Sequence, residues 1–130
     1  MDRFNEYQLA ARKTAHRYIK ACDDIAFDAT TFEPDEDMSA LLRVSYSALG
    51  LAGEAGEYAG KVKKLIRDGC GEETPESRLK LIDELGDVLW YVAACASELN
   101  VTLSDVAQRN IDKLRDRDER GVLGGSGDSR

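Results

Sequence analysis

LGLAGEAGEYAGKVKK, residues 49–64, reads as a helix that carries four glycines and sets Glu54 and Glu57 three residues apart. A glycine inside a helix is about 1 kcal/mol worse than alanine, so Gly50, Gly53, Gly56 and Gly60 together cost about 4 kcal/mol. Two like charges one turn apart add a smaller penalty. At 100° per residue, with Glu54 at zero, Glu57 falls at about −60°, Lys61 at about −20° and Lys64 at about −80°, one stripe roughly 80° wide. Val44, Ala48, Ala55, Ala59, Val62 and Ile66 cluster on one flank of it. Gly53, Gly56 and Gly60 lie on the other, beside Leu42 and Leu49. Surface that wants a neighbour therefore borders the acidic stripe on both sides, which a solvated face does not need.

The next helical segment repeats the device. In KLIDELGDVLWYV, residues 80–92, Glu84 and Asp87 are again three apart, and Lys80 and Tyr91 share their arc one turn to either side. Leu81, Leu85, Val88, Val92, Cys95 and Leu99 form the expected core stripe next to them. If the two helices pack antiparallel across the short loop between them, two carboxylate pairs face each other. Four carboxylates a few ångströms apart repel strongly unless cations lie between them. Ligands that are all oxygen suit hard divalent ions, Mg²⁺ or Mn²⁺. The glycines fit the same picture, because residues without side chains let a neighbouring helix or a ligand approach the backbone.

Four helical segments are expected around this pair, with no strand. Phe4, Tyr7, Ala11, Ala15, Tyr18 and Cys22 recur at three- and four-residue steps along the first. A polar stretch through Pro34 ends the pattern. The second runs from about Met38 to Asp68 and stops at the helix-ending Gly69, with its glycines allowing a bend. Thr74 before Pro75 caps the third, which continues to about Leu99 with Asn100 at its C-terminal end. Thr102 and Asp105 suit a capping-box start to the fourth, which runs to about Arg120. Short connections between helices point to an all-α, antiparallel four-helix bundle. One domain over residues 1–120 is expected, followed by a glycine-rich tail over 121–130.

Composition narrows the function. The 130 residues suit one domain, and a hydrophobic share of 42% with 33% charged residues suits a folded, water-soluble one. The formal net charge of −7 argues against nucleic acid as a partner, since phosphate neutralisation needs a basic footprint. It also means that a polyphosphate substrate requires a cation at its site. No apolar run approaches the ~20 residues that span a bilayer, so no membrane partner is expected. The opening MDRFNEYQ lacks the apolar core of a signal peptide, which leads to the expectation of a cytoplasmic protein. Cys22, Cys70 and Cys95 are odd in number and form no CxxC pair, as expected of reduced, unligated thiols.

Glu54-Ala-Gly-Glu57 followed by Glu84-Leu-Gly-Asp87 resembles the ExxE…ExxD signature of the all-α nucleoside triphosphate pyrophosphohydrolases. Within that superfamily LAGEAGE and DELGDVLWY are most similar to the two central helices of the MazG-like branch. The closing NIDKLRDRDERGVLGGSGDSR resembles that of a small single-domain subgroup found in phages and bacteria. The resemblance covers nearly the whole chain, with its weakest part between Cys22 and Asp37. It implies hydrolysis of a nucleoside triphosphate between the α and β phosphates, giving the monophosphate and pyrophosphate. It further implies that Glu54, Glu57, Glu84 and Asp87 are magnesium ligands and that sites form at chain contacts in dimers or dimers of dimers. A tetramer is the favoured expectation.

Cationic groups must meet the remaining phosphate charge. Lys61 and Lys64 continue the acidic stripe, although Lys61 would equally suit a one-turn salt bridge with Glu57. Asn110, Lys113 and Arg117 share a face of the last helix and match the NxxK segment that the resemblance assigns to substrate contact. They lie beside an apolar stripe of Leu103, Ala107, Ile111 and Leu114. The tail could fold over the phosphates with Arg130 adding charge. Tyr91 and its neighbour Trp90 are candidates for stacking on a nucleobase, the alternative being a place in the core. Glu57 is the suggested base for the attacking water. His16 falls off the apolar stripe and is expected in solvent. The competing readings are a helical interaction or regulatory module without catalysis, a phosphoribosyl-ATP pyrophosphohydrolase, and a di-iron bundle. The last wants Glu-x-x-His pairs that are absent here.

Overall fold

The computed structural model describes residues 2–28 and 33–122. Five α-helices account for nearly all of them: α1 Arg3–Thr14, α2 His16–Ala26, α3 Glu36–Gly69, α4 Pro75–Glu98 and α5 Leu103–Glu119. The first expected helix is thus two. At Ala15 the backbone N–H turns to the Arg12 carbonyl (3.2 Å), while the Thr14 hydroxyl donates to the Ala11 carbonyl (2.8 Å). A threonine that bonds back into its own turn competes with the helical ladder and bends it. Thr14 is held in that role from outside, because its oxygen accepts the Trp90 indole N–H at 2.8 Å.

A short antiparallel pair was not foreseen either: β1 Phe27–Asp28 meets β2 Glu33–Pro34 in the register Phe27↔Pro34 and Asp28↔Glu33. The residue before a proline is pushed towards extended backbone, which sets up β2. Asp35 then caps α3, its carboxylate accepting the Met38 N–H at 2.9 Å. Gly69 is still helical. The left-handed positions are Cys70 (φ 52°) and Gly71 (φ 82°), and the Gly71 N–H closes the turn on the Leu65 carbonyl. The expected cap on α4 is present and reciprocal: Ser77 N–H donates to Thr74 Oγ1 and Thr74 N–H to Ser77 Oγ. Asn100 ends the α4 region in left-handed conformation (φ 55°), and Thr102 caps α5 by accepting the Asp105 N–H.

α3 and α4, joined by residues 70–74, form a long antiparallel hairpin with the most extensive contact in the chain; α2 lies on α3, and α1 on α4. Two small clusters make the core. Ala11, Ala93 and Leu103 pack with Tyr7 and Val92; Ala15, Tyr18 and Cys22 pack with Ile19 and Leu42; Trp90 joins both. Alanines dominate, so the helices approach closely. The expected first-helix stripe is buried from Ala11 to Cys22, but Phe4 is exposed. The expected α4 stripe is shifted: Leu85, and Leu99 just past the helix, are exposed, and the buried apolar residues are Ala93, Ala94 and Ala96.

Glu98 ties four helices together. Its buried carboxylate accepts from the Tyr18 hydroxyl at 2.5 Å, pairs with Arg12, and lies 3.4 Å from Arg43. Burial, then this bond, pushes the Tyr18 hydroxyl far above its usual range. Gln8 fastens the α4–α5 link to α1, donating to the Val101 carbonyl and accepting the Leu103 N–H. All this order lies at one end. Between residues 48 and 83 no described residue is buried, so the far half of the hairpin stands away from the core.

Candidate metal and phosphate site

The acidic pairs meet where the hairpin leaves the core. One oxygen each from Glu54 on α3 and from Glu84 and Asp87 on α4 lie within 4.8 Å of one another. The antiparallel packing produces this, since residues before the α3–α4 turn face residues after it. Glu57 is not the fourth member of that convergence. It is exposed one turn further along α3 and acts on Glu54 through charge.

The carboxylates are not at ease. Partial desolvation, then repulsion from Glu57, Asp87 and Glu84, pushes the Glu54 carboxyl above its ordinary range. Glu84 is 8% exposed, and its buried Oε2 has no hydrogen-bond partner. A buried carboxylate oxygen without a partner is costly. Its other oxygen accepts from Lys61 at 2.8 Å. Lys61 thus bridges to the opposite helix, and the anticipated pairing with Glu57 reduces to a weaker attraction; the Glu84 bond, ahead of that attraction, raises the lysine's pKa.

These residues fit a hard divalent cation. Three formal carboxylate charges less one lysine leave about two negative charges to be met, and every donor is oxygen. The orphaned Glu84 oxygen is an acceptor waiting for a partner.

Tyr91 borders the site. Its ring lies against Gly50, where an added Cβ would come within 2.0 Å of a ring carbon. Of the glycines in the opening segment this one is required by a close approach inside the chain; Gly53, Gly56 and Gly60 have nothing within 4 Å of such a Cβ. Burial, then the neighbouring Tyr46, Glu54 and Asp87, raises the Tyr91 hydroxyl's pKa. Trp90 is spent on packing: it meets Tyr18 and Tyr91 edge-on and donates to Thr14. Tyr46, which sequence reasoning passed over, stacks flat on buried Tyr18 at 4.9 Å yet remains exposed.

Lys64 lines a cavity beyond Lys61. Asn110 and Lys113 do not reach the carboxylates; they line a separate cavity formed by α5 residues alone, and Arg117 lies one to two turns further along that helix. Ile111 and Leu114, half of the expected α5 stripe, are exposed, while Leu103 is buried. Arg130 lies outside the described residues. His16 is exposed as expected.

Residues 45–122 match the sequence profile of the MazG nucleotide pyrophosphohydrolase domain. The chain is also 50% identical over 105 residues to the Gene 37 protein of Mycobacterium phage L5, a match spanning 81% of this chain and 92% of that protein. No solved structure matches. An all-α chain whose paired carboxylates converge on the matched helices belongs to the MazG nucleotide pyrophosphohydrolase family. Among the described residues no helix is long and apolar enough to cross a membrane.

Proposed function

We propose that this protein hydrolyses a nucleoside or deoxynucleoside triphosphate between its α and β phosphates, releasing the monophosphate and pyrophosphate in control or cleansing of the nucleotide pool. One observation carries the reading: Glu54, Glu84 and Asp87 converge within 4.8 Å, with a buried, unbonded oxygen on Glu84. Family membership supplies the reaction type.

Glu54, Glu84 and Asp87 would hold Mg²⁺, or Mn²⁺ in its place, with Glu57 near enough in sequence to join them. When bound, the ion lowers the pKa of an attacking water and offsets charge on the departing pyrophosphate. The protein's own groups do the rest. Glu57, exposed and outside the convergence, takes the water's proton. Lys61, released from Glu84 as charge is redistributed, binds phosphate beside Lys64. Tyr91 bounds the site on the side of Gly50 and contacts the nucleoside.

The described residues leave this site open, and Asn110 and Lys113 line a cavity formed by α5 residues alone. We read residues 1–120 as one domain that works as a homo-oligomer, a dimer or a tetramer, in which another copy brings α5 residues to the phosphates. No role for nucleic acid or membrane is needed, and the working compartment is the cytoplasm.

The test is a panel of canonical and modified nucleoside triphosphates, with phosphoribosyl-ATP, in the presence and absence of magnesium, following pyrophosphate release. At least one triphosphate is expected to be cleaved only with the metal, and Glu57→Gln should slow it about 100-fold or more. If Glu84→Gln cleaves as fast as the parent, the reading is wrong.

A further inference from the structure

Tyr46 is a feature of α3 that the reaction read above leaves unused. Its ring lies flat on that of buried Tyr18, with centroids 4.9 Å apart and planes 5° from parallel, yet the residue is 45% exposed. One face of the ring is thus covered, and among the described residues no other aromatic ring lies on the second face. We propose that this open face is the base platform of the site, on which the substrate's nucleobase stacks as the third ring after Tyr18 and Tyr46. The proposal rests on the function read above and deepens it by naming the ring that holds the base.

Position supports it first. Tyr46, Gly50 and Glu54 follow at four-residue steps and so share a face of α3. Tyr46 stands about 12 Å before Glu54 along the helix, a separation that an extended nucleotide bridges between its metal-bound phosphates and its base. Tyr91 occupies the interval. It lies against Gly50, and Tyr46, Glu54 and Asp87 are all near enough to act on its hydroxyl, behind burial. The open ring and the carboxylates are therefore two ends of one surface.

Rigidity supports it next. Tyr18 is 5% exposed, its hydroxyl donates to Glu98 at 2.5 Å, and the Trp90 ring meets it edge-on at 6.2 Å. The underlying ring is pinned, so Tyr46 rests on a fixed plane before a ligand arrives and little freedom is lost on binding. Trp90 is not available for the same task, being committed to Thr14 and to the edges of two tyrosines. A stack reads the face of a base and not its hydrogen-bonding edge. Tyr46 therefore tells a nucleotide from bare polyphosphate, and it accepts purines and pyrimidines alike.

The experiment is calorimetric binding to the full chain, with magnesium, of inorganic triphosphate and of uncleavable α,β-methylene analogues of purine and pyrimidine nucleoside and deoxynucleoside triphosphates. It compares wild type, the ringless Tyr46→Leu and Tyr46→Met, the ring-keeping Tyr46→Phe, and a control, Phe4→Leu, that removes an exposed ring elsewhere. Thermal melts identify the variants that fold, and two ringless ones guard against the failure of either. A folded ringless variant should lose about tenfold or more in affinity for the nucleotide that wild type binds best, and keep its affinity for inorganic triphosphate. Tyr46→Phe and the control should bind both as wild type does. Undiminished nucleotide binding without the ring, an equal loss of both ligands, a phenylalanine variant as weak as the ringless ones, or a wild type that binds no nucleotide analogue overturns the proposal. Were wild type to cleave no triphosphate and the selective loss still appear, the platform would stand and the reaction would fall. Cleavage with no selective loss would leave the reaction standing and overturn the platform.

Discussion

At the scale of single residues, Gly50 and Gly53 are one turn apart and make opposite demands. Gly50 faces the Tyr91 ring, so a methyl group there would force the aromatic aside or part the helices. Gly50→Ala should therefore destabilise the fold by about 1–3 kcal/mol, as overpacking does. It should lose stability relative to wild type in urea, and Gly50→Ala/Tyr91→Ala should show less than the sum of the two single losses. Gly53 meets nothing, so Gly53→Ala should gain up to about 1 kcal/mol from helix propensity alone in the isolated chain. A loss at Gly53 would show that a second copy or a ligand occupies the space. The sequence reveals four glycines beside an acidic stripe but not which one touches a side chain, because Gly50 and Tyr91 are 41 positions apart. Glu98 was invisible for the same reason: its partners Arg12, Tyr18 and Arg43 come from three other helices. The carboxylate pairs were legible because three-residue spacing and a short hairpin determine where they point.

At the scale of helices, termini were easier to read than interiors. Thr74 and Thr102 cap as their sequences imply, since a cap is a bond over three residues and needs no tertiary knowledge. Thr74→Ala should cost about 1 kcal/mol in chemical denaturation and lower the helical signal of the hairpin. The break at Ala15 was not legible, because Thr14 departs from the ladder under a bond from Trp90, 76 positions away. The start of α1 adds a pH effect. The Ser104 hydroxyl, then the Asn5 N–H, hold the Asp2 carboxyl below its ordinary 3.8. A depressed folded pKa stabilises above the unfolded value, and the contribution is lost as pH falls through the folded one. Asp2→Asn keeps a capping oxygen but cannot ionise. The variant should be less stable than wild type at neutral pH, and the gap should close on acidification below about pH 4. Urea midpoints across that range measure it; a gap that does not change with pH would remove Asp2 from the account.

At the scale of the molecule, burial is lopsided, and that asymmetry marks the surface on which the proposed second copy would pack. The core gathers α1, α2, the start of α3, the end of α4 and Leu103 of α5, while the hairpin beyond residue 48 leaves Leu49 74%, Ile66 65% and Leu79 61% exposed. Fully burying one such side chain contributes about 1.5–3 kcal/mol, so this surface stores enough to drive association. The aliphatic flank of the acidic stripe, read in the sequence as seeking a neighbour, is left largely uncovered by the described residues: Ala55, Ala59 and Ile66 are exposed. Of the α5 residues matched to substrate contact, Asn110 and Lys113 line a cavity formed by α5 alone, on a helix that packs on α1 and α4. Both facts are met if a second copy covers the hairpin and supplies its α5. Sedimentation at micromolar concentration should then show a dimer or tetramer, and Ile66→Asp should shift it towards the monomer. Ile66 is largely exposed, so the variant chain should stay helical. Activity should fall with association, and recover in part as protein concentration is raised, because mass action restores the missing contact. A variant that stays associated leaves the Ile66 face without a partner. A monomer with full activity would show instead that one chain completes its own site.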